Sequence, residues 1–203
     1  MTEYRSIAHE GRALYEEKKS EFLGFAFPVT TEEEAIAHVN AIKNQYPDAR
    51  HHVYAYVLRD QNKSRYTDDG EPSGTAGMPV LDCIRKQDLT DCVVIVVRYF
   101  GGTLLGTGGL VRAYTAAASD AIRAGEPVLW RMMQAMELTC TYTDYQKLTK
   151  PLAKTVIDGI EYGTEIRIRF HLPIEEVAQI SLDFTNLTAG RACIEEKESF
   201  FGN

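Results

Sequence analysis

Two segments of the sequence hold the residues whose types and spacing can do chemistry: Asp68 to Gly77 (DDGEPSGTAG) and Arg98 to Tyr114 (RYFGGTLLGTGGLVRAY). Eight of the fifteen glycines fall between Gly70 and Gly109, on either side of a VVIVV run, a clustering beyond ordinary loop composition. Glycine admits positive φ and close backbone approach, which is what a surface needs to wrap an anion or a nucleotide in main-chain N–H groups. The second segment also opens a helix. With Thr107 as its cap, Gly108 and Gly109 present free N–H groups at the positive helix end, and Arg98 and Arg112 add full charges. Gly101, Gly102, Gly106, Thr107, Gly108 and Gly109 with Arg98 and Arg112 therefore form a candidate anion site. The spacing matches neither GxxxxGK[ST] nor GxGxxG, so neither a P-loop nor a Rossmann site is supported. The plainer alternative is that the glycines only let helix and strand pack tightly.

Asp68, Asp69 and Glu71, with Thr75 beside them, form an acidic motif. Hard cations take oxygen ligands and share them with phosphates, so Mg2+ is conceivable here. A DDG turn followed by a helix cap explains the same residues, and no metal or cofactor is assigned. His51 and His52 are adjacent at the start of a strand, where neighbouring side chains point to opposite faces, so they do not share one metal. One of them can face the glycine surface as a proton shuttle; a strand-end or core histidine is the commoner state. No Ser-His-Asp order or GxSxG elbow is present. The four cysteines, Cys83, Cys92, Cys140 and Cys193, are far apart and none forms CxxC, which reads as buried free thiols rather than a disulfide or zinc site. In EIRIRFHL, Arg167, Arg169 and His171 share one strand face opposite Ile166, Ile168 and Phe170. An RNA-reading sheet would expose aromatics, so this reads as a solvated face.

With 203 residues and 44% hydrophobic composition, the chain can build one large or two small domains with proper cores. A net charge of -7 argues against a protein coated with basic residues for duplex DNA. Cys92 to Ser119, however, contains Arg98 and Arg112 and no acid, a cationic window in an acidic chain. The N-terminus lacks the apolar stretch of a signal peptide and no window approaches the ~20 apolar residues of a membrane span, which predicts a cytoplasmic protein with no membrane partner.

The elements that must position these residues follow from periodicity. Gly11 to Pro28 predicts two strands around an EEKKSE turn, and a helix follows, with Thr31 and Glu34 as a capping box, Ile36, Val39, Ile42 and Tyr46 on its face, and Pro47 as the stop. His52 to Leu58 alternates as a strand, Gly77 to Lys86 is a short helix, and CVVIVV is a central strand covered on both faces. Leu110, Tyr114, Ala117, Ala121 and Ile122 mark a helix face ending at Gly125. The break at Gly125, Glu126 and Pro127 places a domain boundary near residues 127–131, giving domains 1–130 and 131–203. The second domain predicts a strand through Met136, Leu138, Cys140 and Tyr142, a helix over 144–155 that starts or kinks at Pro151, a hairpin turning at Gly163, a helix over 174–187 and a strand over 192–200. The fold class is α/β in the broad sense, more strictly α+β, and the second domain has the βαββαβ order of the ferredoxin-like pattern.

RHH (Arg50 to His52), DDGEPSGTAG and VVRYFGGTLLGTGGLVRAY resemble the YigZ/IMPACT family, and the similarity covers essentially the whole chain. The resemblance implies an N-terminal domain with the fold of the second domain of ribosomal protein S five, shared by GHMP kinases and elongation factor G domain four. It also implies a C-terminal ferredoxin-like domain similar to elongation factor G domain five. Eukaryotic IMPACT proteins look like translational regulators that counter activation of the amino-acid-starvation kinase through an additional N-terminal RWD domain, for which this chain has no room; bacterial relatives look like proteins suspected of binding nucleic acid or ribosomes. Carried over by motif are His51, Asp68, Asp69, Gly70, Glu71, Gly74, Thr75, Gly77, Arg98, Gly101, Gly102, Gly106, Gly108 and Gly109. The leading expectation is an RNA- or ribosome-binding protein linked to translation regulation, contacting phosphate through the glycine-rich loop and Arg98. Two alternatives stay open: a hydrolase or phosphotransferase using Asp68, Asp69 or Glu71 as base or metal ligand, and a docking module for a protein partner.

Overall fold

A computed structural model describes residues 2–203, with Gln61 described by its backbone only. In chain order the elements are β1 (Glu3–Ile7), β2 (Gly11–Glu17), β3 (Ser20–Pro28), α1 (Glu32–Gln45), β4 (His51–Leu58), β5 (Lys63–Thr67), α2 (Gly77–Lys86), β6 (Cys92–Tyr99), α3 (Gly106–Ala124), β7 (Pro127–Cys140), α4 (Tyr142–Leu152), β8 (Val156–Tyr162), β9 (Ile166–Pro173), α5 (Val177–Thr188) and β10 (Cys193–Gly202). The fold is α+β, with two five-stranded sheets. The chain divides into two compact units, Tyr4–Leu129 and, with Glu3, Trp130–Asn203.

In the first unit an antiparallel sheet runs β2-β3-β6-β4-β5. The CVVIVV strand β6 is its centre, and the period-two alternation of a strand sends its residues to two separate cores. Val94 and Val96 join the cluster formed with α2 and α3, while Val93, Ile95 and Val97 join the one formed with α1. α1 carries the capping box of Thr31 and Glu34. α3 lies unusually close to the sheet because small residues meet: a Cβ at Gly24 would stand 2.4 Å from the Ala117 carbonyl oxygen, and one at Gly11 would stand 2.1 Å from that of Ala121. That tight approach fixes where the first turn of α3 emerges.

The second unit has the order β7-α4-β8-β9-α5-β10, with β7 flanked by β10 and β9, and β8 outside β9. Its core holds Met136, Leu138, Leu148, Ile166, Ile168, Phe170 and Phe184. β9 alternates as expected, with Ile166, Ile168 and Phe170 buried and Arg167 and Arg169 exposed.

Several local expectations change. β1 and β5 were not anticipated; β5 (KSRYT) has no apolar alternation and exists because it pairs with β4. β7 begins at Pro127, so residues 127–131 lie within one strand, and the two compact units divide between Leu129 and Trp130. Pro151 does not start α4 but sits in its last turn. Cys83, Cys92 and Cys140 are buried free thiols, whereas Cys193 is exposed on β10. Among the described residues, no helix is long and apolar enough to cross a membrane.

Candidate functional site

The two glycine-rich segments meet at one end of the first unit's sheet. His51 at the start of β4 and Phe22 on β3 both stand opposite Arg98 near the end of β6. Residues 68–76 and 100–105 fold over this edge; the second loop is anchored by the Gly101 N–H, which donates to Ser20 Oγ at 3.1 Å, and the first by bonds to its own backbone. The Asp68 carboxylate accepts N–H bonds from Gly74 (2.9 Å), Ala76 (3.0 Å) and Gly77 (2.8 Å), supplying the cap that α2 lacks at its N-cap residue. Asp69, in the left-handed region at φ 42°, accepts the His52 N–H at 2.6 Å through its carboxylate and His51 Nδ1 at 2.7 Å through its carbonyl. Thr75 is buried, its hydroxyl bonded to the Pro72 carbonyl at 2.7 Å. This wrapping turns Glu71 inward.

Glu71 is the polar centre of the site. Its Oε1 accepts Arg98 Nη1 at 2.6 Å and the Tyr114 hydroxyl at 2.8 Å, and His51 Nε2 stands 3.9 Å away. The Arg98 side chain is only 7% exposed and that of Glu71 4%. Arg98 Nε is buried and has no hydrogen-bond partner among the described residues. The guanidinium lies 5.4 Å from the ring centre of Phe22 and 5.6 Å from that of Phe100, within cation–π range. Burial first, and then the Glu71 carboxylate, push the Tyr114 hydroxyl far above its ordinary range, so it stays a neutral donor. Because His51 Nδ1 faces a carbonyl, which can only accept, that nitrogen carries a proton.

α3 begins inside the glycine run. Leu105 is its N-cap, Thr107 is not, and no side chain caps it; no acid stands in its first turn. Gly106, Thr107 and Gly108 are exposed, and the opening N–H groups of a helix have no intrahelical acceptor. The Arg112 guanidinium folds back over this turn, with Nη1 3.7 Å from where a Cβ at Gly108 would be. Arg112 is exposed and has no ion-pair partner among the described residues. Gly101 and Gly109 serve packing instead. A Cβ at Gly101 would stand 2.0 Å from the Lys19 carbonyl carbon, and one at Gly109 3.0 Å from Leu105 Cβ. Gly102, at φ 85°, makes the turn between them.

Between the two loops lies a cavity of about 430 Å³. His51, Glu71 and Arg98 form its polar end, Pro72, Phe100, Leu104, Leu105 and Leu110 its apolar walls, and Arg50, Gly106 and Thr107 its remaining border. Leu104 is 83% exposed.

The structure thus gathers His51, Glu71, Arg98, Gly106 and Thr107 around one cavity and leaves His52, Asp68, Asp69, Thr75, Gly101 and Gly109 in supporting roles. It corrects the expectation that Arg98 offers a free charge: its cation is buried and neutralised by Glu71. The acids do not converge as magnesium ligands either, since Asp68 binds loop amides, Asp69 binds His52 and Glu71 binds Arg98. Among the described residues no group of three or more His, Cys, Asp or Glu is placed to hold a metal ion. Sequence reasoning missed Tyr114 as a polar partner, having placed it on an apolar helix face. A buried tyrosine hydroxyl usually needs a partner, and that was the available signal. On β9, Arg169 pairs with Glu161 at 3.1 Å and His171 with Asp158 at 2.9 Å, as a solvated, charge-paired face would.

Comparison with known proteins covers nearly the whole chain. The profile of the Impact N-terminal domain matches residues 18–122, and that of a domain of unknown function, DUF1949, matches residues 138–191. The chain is 33% identical to IMPACT family member YvyE of Bacillus subtilis (strain 168), over 96% of this chain and 91% of that protein. It is 34% identical to IMPACT family member YigZ of Escherichia coli (strain K12), over 85% and 87%. A crystal structure described as that of a hypothetical protein aligns with a TM-score of 0.62 at 31% identity, covering 98% of both chains.

Proposed function

The chain belongs to the IMPACT family, and from that premise we propose that it is an RNA- or ribosome-binding protein linked to translation regulation, taking a phosphate group of its ligand at the first turn of α3. The observation that carries this reading is the uncapped, acid-free turn Gly106–Thr107–Gly108 with the unpaired Arg112 guanidinium folded over it. A helix end contributes about 0.3–2 kcal/mol to an anion and a charge-assisted arginine contact about 1.5–3 kcal/mol, enough for weak binding. Arg98 supports the site from behind rather than touching the phosphate chain. The translational setting rests on the resemblance to eukaryotic IMPACT proteins.

The acidic balance of the chain limits how many phosphates it holds. With Arg112 and Arg50 as the available cations, about two phosphates are neutralised, and the salt slope for single-stranded RNA is about -1.4. Anisotropy of a labelled single-stranded RNA, measured from low to physiological salt, tests this. Arg112→Ala should flatten the slope by about 0.7. Absence of any RNA or ribosome retention at low salt would sink the proposal.

One observation favours a hydrolytic reading: His51 borders the cavity with its Nε2 3.9 Å from the Glu71 carboxylate, a histidine–carboxylate pair. Turnover of a phosphate ester that His51→Gln abolishes would promote it.

A further inference from the structure

An uncapped helix turn is enough to hold a phosphate, yet behind this one lies an apolar-walled cavity with a polar end that backbone contact would leave unused. We infer that the cavity receives the base of one nucleotide whose phosphate sits on the α3 turn, so that the chain recognises a single phosphorylated nucleotide, free or at the end of an RNA strand. This rests on the phosphate reading of the α3 turn given above.

Size and lining come first. About 430 Å³ lies in the range of small-molecule sites, roughly 300–1,000 Å³, which are apolar-walled with a few convergent polar groups. Phe100 and Leu104 are exposed at the wall, and an aromatic side chain is the usual stacking partner of an unpaired base.

Charge decides the orientation. At the polar end, Arg98 is already neutralised by Glu71, and a phosphate placed there would meet a buried carboxylate of its own sign. The α3 turn has no acid and carries Arg112. The anionic end of the ligand therefore stays at the turn, and its neutral heterocycle enters.

The polar end then offers what a base edge lacks in an apolar pocket. Arg98 Nε is a buried donor with no partner among the described residues, on a side chain more than nine-tenths buried; Arg98 borders the cavity. Buried polar groups are nearly always hydrogen-bonded, so an unsatisfied one beside a cavity leaves bonding capacity that the chain itself does not use. Glu71 accepts both of its hydrogen bonds on Oε1, and among the described residues Oε2 accepts none. Arg98 and Glu71 both border the cavity, so a donor-bearing and an acceptor-bearing side chain stand where the ring nitrogen and exocyclic amine of a base edge need partners.

The test is calorimetric titration of the whole chain with each of the four ribonucleoside 5′-monophosphates, the matching nucleosides and inorganic phosphate. At least one monophosphate should bind, with its nucleoside and phosphate each about tenfold weaker or more, the change expected from losing one charge-assisted contact. Phe100→Ala should weaken the monophosphate about tenfold through lost stacking without changing phosphate binding, whereas Arg112→Ala should weaken both. RNA oligomers with a 5′-phosphate, with a 3′-phosphate, or closed into a circle separate the sources. Binding of a linear but not a circular RNA, competed by the monophosphate, assigns the site to a strand end. Monophosphate binding without any RNA binding keeps the cavity assignment for a free nucleotide and overturns the RNA function. Linear and circular RNA bound alike, with no competition and no effect of Phe100→Ala, overturns the cavity assignment and leaves the RNA function standing. If neither ligand binds, both fall.

Discussion

Replacing Arg98 by methionine removes the cation facing Glu71 while keeping an unbranched apolar stem against Phe22. Glu71 then remains almost fully buried, with only the Tyr114 hydroxyl still donating to it. At 2.6 Å the gross Coulomb attraction is about 6 kcal/mol for an effective dielectric near 20, and much of it offsets the desolvation of the two ions. Breaking such a pair from one side costs about 3–5 kcal/mol because the remaining charge is left uncompensated. That is a large share of the roughly 5–15 kcal/mol that stabilises a typical domain. With an m-value near 2 kcal/mol per molar urea, the midpoint of the first unit should fall by about 1.5–2.5 M, read from urea unfolding by far-ultraviolet circular dichroism. Arg98→Met combined with Glu71→Gln removes both charges and should recover most of the loss, giving a coupling of about 2–3 kcal/mol across the double-mutant cycle. A single variant that loses under about 1 kcal/mol, with no coupling, would refute this reasoning. Arg98 would then be a solvated cation, free to meet a phosphate directly.

The two kinds of glycine at the site should separate by mutation: Gly101→Ala forces its Cβ to within 2.0 Å of Lys19 backbone and should lower the melting temperature and loosen the 100–105 loop. Gly108→Ala has only an ordinary contact at 3.7 Å in an exposed helix turn and should stabilise by about 0.4–1 kcal/mol; equal effects in calorimetry would contradict the division. In the second unit, Arg191 and then Lys147 hold the Asp144 carboxyl well below the usual carboxylate range. A depressed pKa gives stability that is present above the unfolded value, about 3.9, and lost as pH falls through the folded one. Urea midpoints followed by the sole tryptophan, Trp130, should drop in acid, and Asp144→Asn should flatten that drop; an unchanged profile would remove Asp144 from the account. A thiol reagent should modify one cysteine quickly in the folded protein, the exposed Cys193. The Cys92 thiol is fully buried and pushed up to about 12 by desolvation, so a fast phase that survives Cys193→Ser would be inconsistent with the packing.

Local pattern alone determined much of this protein. Thr31 with Glu34, the CVVIVV run, the alternation of EIRIRFHL and the turn at Gly163 each encode a structure within a few residues, since capping and side-chain periodicity act at that range. Tertiary structure decided the rest. β5 has no periodic signal of its own and is a strand because β4 offers it a ladder. Glycine is a poor helix former, yet α3 starts at Gly106, ahead of the expected cap Thr107, within a unit whose small residues let helix and sheet close up. The charge at the site shows the difference most plainly. Along the chain, Arg98 lies in a stretch of twenty-eight residues without an acid; in space, Glu71 from a loop 27 residues earlier and Tyr114 from the following helix converge on it. Electrostatic interaction depends on distance and burial, not on sequence separation, and only the fold sets those.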